Sequence, residues 1–422
     1  MKLYKIVSIQ FAFLLLFLVS CSKEDDTPVK LGPKKETKPE PEVPDGGTIT
    51  WPLATSKLKV VGKYLKDACG NTVNLHGVAI TPSPWFNGGA VGDWRWNNYD
   101  VASCLQYNKA VMTKLSDPKQ GWYLNYVRLH IDPYWTNNKG VSGIQENDIS
   151  QFNFERFKTA IDDVIIPLIA HAKTRGMYII LRPPGVCPEE IGVGDAYHDY
   201  LKLIWDYISK HPSLKNSDHV MFELANEPVR VKLPGGSVGA NTQAHFDQLK
   251  LFFQPIVDMI RTNGANNILW IPGSGWQSQY KGYAVNPIEG DNIGYAVHIY
   301  PGYWGKDNNS PSLFRANWNE NIKPVADIAP IAITEIDWGP EKYPVWGKGG
   351  VTGTAGGWGF GANFKVLVDE SGNVSWNVLS PENLIDKGSV NGGIAYDNDP
   401  QACANPVNKW FKEYAKTMKL CN

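Results

Sequence analysis

The chain has 422 residues, 41 Lys and Arg against 42 Asp and Glu, and a net charge of −1 with a pI near 6.7. So even a balance excludes an electrostatic footprint for nucleic acid or an anionic membrane surface, since both demand a basic excess. The 16 Trp and 19 Tyr are flat faces that either fill a core or cover the apolar C–H faces of sugar rings.

Residues 1–21 read as a signal peptide. Lys2 and Lys5 precede a mostly apolar stretch from Ile6 to Val19, too short for a transmembrane helix. Leu18-Val19-Ser20-Cys21 closes it and resembles the lipobox of bacterial lipoproteins, in which the cysteine is acylated and becomes the new N-terminus. A plain signal peptide with an incidental cysteine is the alternative. Ser22-Lys23-Glu24-Asp25-Asp26 is similar to the surface-export signal of lipoproteins in the Bacteroidetes. The resemblance implies an outer-membrane lipoprotein, at the cell surface or on the periplasmic face, that touches the membrane only through its lipid. Residues 22–50, rich in Lys, Glu, Pro and Thr, hold too little apolar surface to offset ordering and read as an extended tether. Residues 51–422 are then one domain of a size that suits a single TIM barrel.

Within that domain Leu58–Leu65 and Thr72–Leu75 read as two short strands about a turn at Gly70-Asn71. Asn125–Ile131 is a strand with Arg128 inside an apolar run, where an arginine needs a partner. Phe154, Phe157, Ile161, Val164, Ile165 and Leu168 recur at helical spacing up to a stop at Gly176, and Met177–Leu181 is the next strand. This alternation argues for a parallel sheet. Val220–Pro228 is a strand carrying Glu223 and, past Asn226, Glu227; Pro228 cannot join a ladder, so the strand should stop near Asn226. Glu227 then sits at a carboxyl end, where parallel folds place their chemistry, and Glu223 faces the interior as a structural polar group.

Leu249, Phe252, Phe253, Ile256 and Ile260 form another helical stripe ended by Gly264. Asn267–Ile271 is a strand leading to Gly273-Ser274-Gly275-Trp276, and Gly294–Tyr300 is another, with His298 and Tyr300 on one side of it. Ile331–Glu335 ends a further strand on a second glutamate, and Val374–Asn377 is the last strand, before a closing helix from Pro406 to Leu420. Apart from Cys21 five cysteines remain, so pairing leaves at least one thiol over; Cys403 with Cys421 is one pair open to the chain. No Cys-x-x-Cys or His-x-x-x-His spacing marks a metal site, and neither metal nor cofactor is expected.

Ala225-Asn226-Glu227-Pro228 and, 335 − 227 = 108 residues later, Thr334-Glu335 resemble the paired motifs of glycoside hydrolase family 5. That family consists of (β/α)8-barrel retaining enzymes. The resemblance implies that Glu227 is the acid/base after the fourth barrel strand and Glu335 the nucleophile after the seventh. It also implies that His76-Gly77 opens the first strand above a capping hairpin, that Arg128 keeps Glu335 ionised, and that Asn226 holds the sugar 2-hydroxyl. His298 and Tyr300 match its His-x-Tyr pair, with the tyrosine on the nucleophile and the histidine on the acid/base or the sugar. A tryptophan of the eighth strand should floor the central subsite; Trp376 is the candidate, with Trp338 and Trp358 competing, and Trp276 and Trp338 are further candidate sugar contacts. Where the family carries Asp and His after its third strand, this chain has Arg182-Pro183-Pro184-Gly185. Either Arg182 takes part of that role or the subsite differs.

The activity implied is endo-hydrolysis of a β-1,4-linked polysaccharide by double displacement, on glucan first, β-mannan second, and other β-glycans after them, by a monomer. Glu227 must hold its proton until it reaches the leaving oxygen, which apolar surroundings and a neighbouring carboxylate favour. Its rival is a non-catalytic, surface-anchored glycan-binding lipoprotein, which would carry the same tether and tryptophans.

Overall fold

The computed structural model describes residues 53, 55–82, 100–138, 145–300, 311–336, 360–379, 381, 384–385, 404–419 and 421. In chain order its strands are β1 (Lys59–Val61), β2 (Tyr64–Lys66), β3 (His76–Ile80), β4 (Tyr126–His130), β5 (Tyr178–Arg182), β6 (Glu190–Ile191), β7 (Val220–Glu223), β8 (Arg230–Lys232), β9 (Val238–Gly239), β10 (Leu269–Pro272), β11 (Ile293–His298), β12 (Ile331–Glu335) and β13 (Val374–Leu379). Eight of them close a parallel barrel in the order β3-β4-β5-β7-β10-β11-β12-β13 and back to β3. Helices follow each barrel strand, among them Val101–Leu115, Ala196–Lys210, Gln243–Thr262, Phe360–Ser371 and Ala404–Thr417. The chain is thus a (β/α)8 barrel, as the alternation of strand and helix patterns predicts.

Two apolar clusters follow from the two-residue period of the strands. Tyr126, Tyr178, Ile180, Met221, Trp270, Ala296 and Ala332 face the lumen and pack on Leu58, Leu65, Val73 and Leu75 from the N-terminal segment, which plugs the barrel's lower end. Val127, Ile179, Leu181, Phe222, Ile271, Val297 and Ile333, one residue out of phase, face the helices and form the larger core. Farther up the same lumen-facing rows come Arg128, His130, Arg182, Glu223, His298 and Thr334, all buried. The polar layer of the barrel is therefore stacked on an apolar floor.

Details depart from the sequence reading. The hairpin turns at Gly62-Lys63, where Gly62 has φ +56°, and not at Gly70-Asn71. Gly70-Asn71 makes a second, smaller turn that bridges Lys66 to Thr72. The strand before Glu227 stops at Glu223, three residues short of Asn226. The helix from Phe154 runs to Thr174 and includes a π turn at Ile161–Ile165 just before Pro167, whose missing N–H leaves a carbonyl without its ordinary helical partner. Cys421 pairs with Cys69, 352 residues away, so the Cys403–Cys421 pairing is wrong; Cys403 itself lies outside the described residues. Cys104 and Cys187 are buried and outside any disulfide.

Candidate active site

The upper polar layer is organised by Arg128 on β4, whose side chain is fully buried. Its Nε donates to Glu223 Oε2 (2.6 Å) and its Nη2 to Glu223 Oε1 (3.0 Å). Nη1 donates to Glu335 Oε1 (2.6 Å), and Nη2 also reaches Asn226 Oδ1 (2.6 Å). One guanidinium therefore serves two buried carboxylates. Burial works against its charge, but the fields of Glu223 and Glu335 outweigh that and hold its pKa above the ordinary arginine value. Glu223 is a structural polar group, as its place four residues before Glu227 suggests. Besides Arg128 it accepts from Thr334 Oγ1 and Gln277 Nε2, both at 3.0 Å.

Glu335 ends β12 and is 8% exposed. The register between β11 and β12 slips there, pairing Val297 with Ile333 and then His298 with Glu335. The slip lets adjacent residues Thr334 and Glu335 both reach the polar layer, which regular alternation would forbid. Tyr300 Oη donates to Glu335 Oε2 (2.7 Å). Burial raises the Glu335 pKa, but the fields of His298 and Arg128 and the hydrogen bonds from Tyr300 and Arg128 overcome it and bring it down to about 2. This carboxylate is ionised at any working pH.

Glu227 faces it from the loop after β7. It has φ +57°, a left-handed conformation that costs an ordinary residue about 1–3 kcal/mol and persists where its surroundings over-determine it. Its side chain is 26% exposed, with Oε1 3.1 Å from His298 Nδ1; the same nitrogen lies 3.5 Å from Glu335 Oε2. A carboxylate oxygen of each glutamate and a nitrogen of His298 all lie within 4.8 Å of one another. Among the described residues this is the one group with the spacing of a metal-ligand set, and the same spacing suits two carboxyl groups acting together on one bond.

Sequence reasoning missed part of the surrounding shell. His130 is buried between two arginines, with Nε2 3.0 Å from Arg128 Nη1 and Nδ1 3.1 Å from Arg182 Nη2 and 2.7 Å from Thr81 Oγ1. Burial first, then Arg182, Arg128 and His298, push its pKa well below the usual histidine value, so it is a neutral imidazole accepting from guanidinium. Arg182 also donates to the Gly185 carbonyl, and its side chain is held by this loop and by His130. The signal available was the two-residue spacing of Arg128 and His130, which puts both on one strand face.

The tryptophans fare differently. Trp376 is fully buried on the outer side of β13, edge-on to Phe364, Trp410 and Phe411, and is not a sugar platform. Its neighbour Asn377 accepts from Tyr126 Oη inside the barrel (2.6 Å), so Trp376, one residue earlier, must face the helices. His76 packs with it, stacked on Tyr414. Trp276 is half exposed, and its backbone N–H donates to the Pro228 carbonyl (3.0 Å), which keeps it beside Glu227. Trp338 and Trp358 lie outside the described residues.

A parallel eight-stranded barrel with an arginine-clamped carboxylate facing a second carboxyl at its C-terminal mouth defines a (β/α)8 glycoside hydrolase. The chain belongs to the cellulase family, glycosyl hydrolase family 5, whose profile matches residues 86–342. It is 30% identical over 191 residues to an endoglucanase of Bacillus sp. strain KSM-635, covering 43% of this chain and 19% of that protein. To endoglucanase E-5 of Thermobifida fusca it is 23% identical over 326 residues, covering 74% of this chain and 54% of the other. The chain thus spans at most about half the length of these curated relatives. A β-glucanase of Saccharophagus degradans, solved in complex with cellotetraose, shares the fold with a TM-score of 0.59 at 20% identity, over 89% of this chain and 99% of that one.

Proposed function

We propose that this chain is a retaining endo-β-glycanase that cleaves β-1,4-linked glucan by double displacement. The observation that carries the reading is the pair Glu227 and Glu335, with carboxylate oxygens within 4.8 Å. That approach belongs with the separation of about 5–5.5 Å in retaining enzymes, and not with the 6.5–9.5 Å or so that leaves room for water in inverting ones. Glu335, held ionised by Arg128 and Tyr300, attacks the anomeric carbon. Among the described residues no arginine hydrogen-bonds Glu227, which gives its proton to the departing oxygen, then takes one from water to release the glycosyl-enzyme. Asn226, with Oδ1 tied to Arg128, turns its amide N–H toward the sugar 2-hydroxyl. His298 keeps the two carboxyl groups in register, and Trp276 offers a platform on the leaving-group side. Glucan is preferred because the matching relatives are named endoglucanases; β-mannan is the second substrate to try.

The test is reducing-sugar release from carboxymethylcellulose, mixed-linkage glucan, xyloglucan and mannan, with the first product followed by proton NMR. A β-anomer as first product from a glucan is expected. An α-anomer would overturn the mechanism, and tight binding without cleavage of any of the four would favour a glycan-binding lipoprotein instead.

The lipobox-like Leu18-Val19-Ser20-Cys21 and the tether behind it support a second part of the reading. Cys21 is acylated, and a monomeric enzyme is held at the outer membrane, facing the cell surface. Fatty-acid labelling that is lost in Cys21→Ala is expected. A mature N-terminus found downstream of an unmodified Cys21 would rule it out.

A further inference from the structure

Gly275, Trp276 and Gln277 take left-handed backbone angles in succession, with φ of +59°, +54° and +56°. Only glycine does this freely; for the other two it is strain that surrounding contacts must offset. Three of the contacts are with the segment that carries Glu227. Gly275 N–H donates to the Val229 carbonyl and Trp276 N–H to the Pro228 carbonyl, each at 3.0 Å. The third bond comes from the fully buried Gln277 side chain, whose Oε1 accepts the Glu227 backbone N–H at 2.6 Å. Its Nε2 donates to Glu223 Oε1 (3.0 Å) and to the Ala296 carbonyl (3.1 Å). The orientation of this amide is not arbitrary. A backbone N–H can only donate, and a carboxylate and a carbonyl can only accept, so the oxygen must face Glu227 and the nitrogen Glu223.

From these bonds we infer that Gln277 is a positioning residue for the reaction. It links the backbone of the acid/base to the buried Glu223, and through Glu223 and Arg128 to the nucleophile Glu335. The left-handed turn exists to deliver this one amide to a place no helix or strand end reaches. Without it the strained Glu227 backbone loses its fixed amide partner, and the carboxyl group drifts from the leaving oxygen. This inference rests on the retaining-hydrolase reading above.

The test uses the full chain and two variants. For Gln277→Ala, kcat/KM reports glycosylation alone. It should fall about 10²-fold on cellotetraose, the scale of a 1 Å misplacement. On dinitrophenyl β-cellobioside, whose leaving oxygen needs little proton donation, it should change less than threefold. A merely structural role would lower both in equal proportion, and that result overturns the inference.

Gln277→Glu keeps the shape but places an oxygen against Glu223 and the Ala296 carbonyl. The groups around it are Glu223, Arg128, the Thr334 and Tyr280 hydroxyls, and His298. The contact then survives only while a proton is shared between the two carboxyl groups. This variant should be near wild type at acid pH and lose activity as the pH rises, with its alkaline limb starting at a lower pH than the one Glu227 gives the wild type. A pH profile identical in shape to wild type overturns the inference, and decides the matter if Gln277→Ala does not fold. Wild-type enzyme inert on cellotetraose would instead sink the glucanase reading itself.

Discussion

Arg128 is where the charge balance of the site is decided. Removing it would strand two buried carboxylates, Glu223 and Glu335, and loss of one member of a buried pair costs about 3–5 kcal/mol. The lowered pKa of Glu335 has a thermodynamic counterpart. A carboxyl whose folded value is about 2 against an ordinary 4.5 adds stability that is fully present above about pH 4.5 and is lost as the pH falls toward 2. The amount is on the order of 3 kcal/mol. Melting temperature plotted against pH should therefore fall less steeply between pH 4.5 and 2 in Glu335→Gln than in wild type; parallel curves would show that this carboxylate is not the group that titrates. The same two residues differ in what chemical rescue does for them. Glu335→Ala should be inactive, with azide restoring turnover to the inverted α-glycosyl azide. Glu227→Ala should lose about 10²–10⁴-fold on cello-oligosaccharides but little on dinitrophenyl glycosides, and azide should give the retained β-product. Inverted azide from Glu227→Ala would mean that the roles are exchanged.

At the scale of elements, β13 and the left-handed turn after β10 hold the two tryptophans that matter most to the reading. Trp376 should behave as core: Trp376→Ala should cost about 3–5 kcal/mol in unfolding free energy while leaving KM unchanged in the folded fraction. Trp276→Ala should do the reverse, raising KM for cello-oligosaccharides about 2- to 10-fold, the worth of one aromatic stack, with little change in melting temperature. Equal effects in both assays would argue against the assigned places. The strands were legible because their apolar runs are long and end on residues that cannot be core, namely His130, Glu223, His298 and Glu335. The face of Trp376 was also within reach, since Ser375 and Asn377 flank it and a two-residue period puts polar neighbours in the lumen. The role of Gln277 was not. Two successive non-glycine residues in the left-handed region leave no mark in composition, and the partner of that amide is 50 residues away. The contact between His130 and Arg182 was hidden for a similar reason: the two residues pair across β4 and β5, and only the register of the barrel brings them together.

At the scale of the whole molecule, chemistry and stability sit at opposite ends of the barrel, the division expected of this architecture. The mouth holds the carboxylates, while the lower end is plugged by the β1–β2 hairpin and its following segment. That segment is tied to the chain's last residues by Cys69–Cys421. Cys69→Ser with Cys421→Ser should lower stability by about 2–5 kcal/mol without altering kcat/KM at 25 °C; a large change in kcat/KM would mean that the two ends of the barrel are coupled.

Because the bridged residues stand 352 positions apart, the covalent path through the catalytic domain is a ring. A ring cut once is still one molecule. The exposed Pro234-Gly235-Gly236 turn between β8 and β9 separates the half that carries Glu227 from the half that carries Glu335, so a protease nick there should leave both glutamates in one particle. Such a nicked enzyme should run as a single species on a non-reducing gel, separate into two on reduction, and keep hydrolysing while the Cys69–Cys421 disulfide is intact.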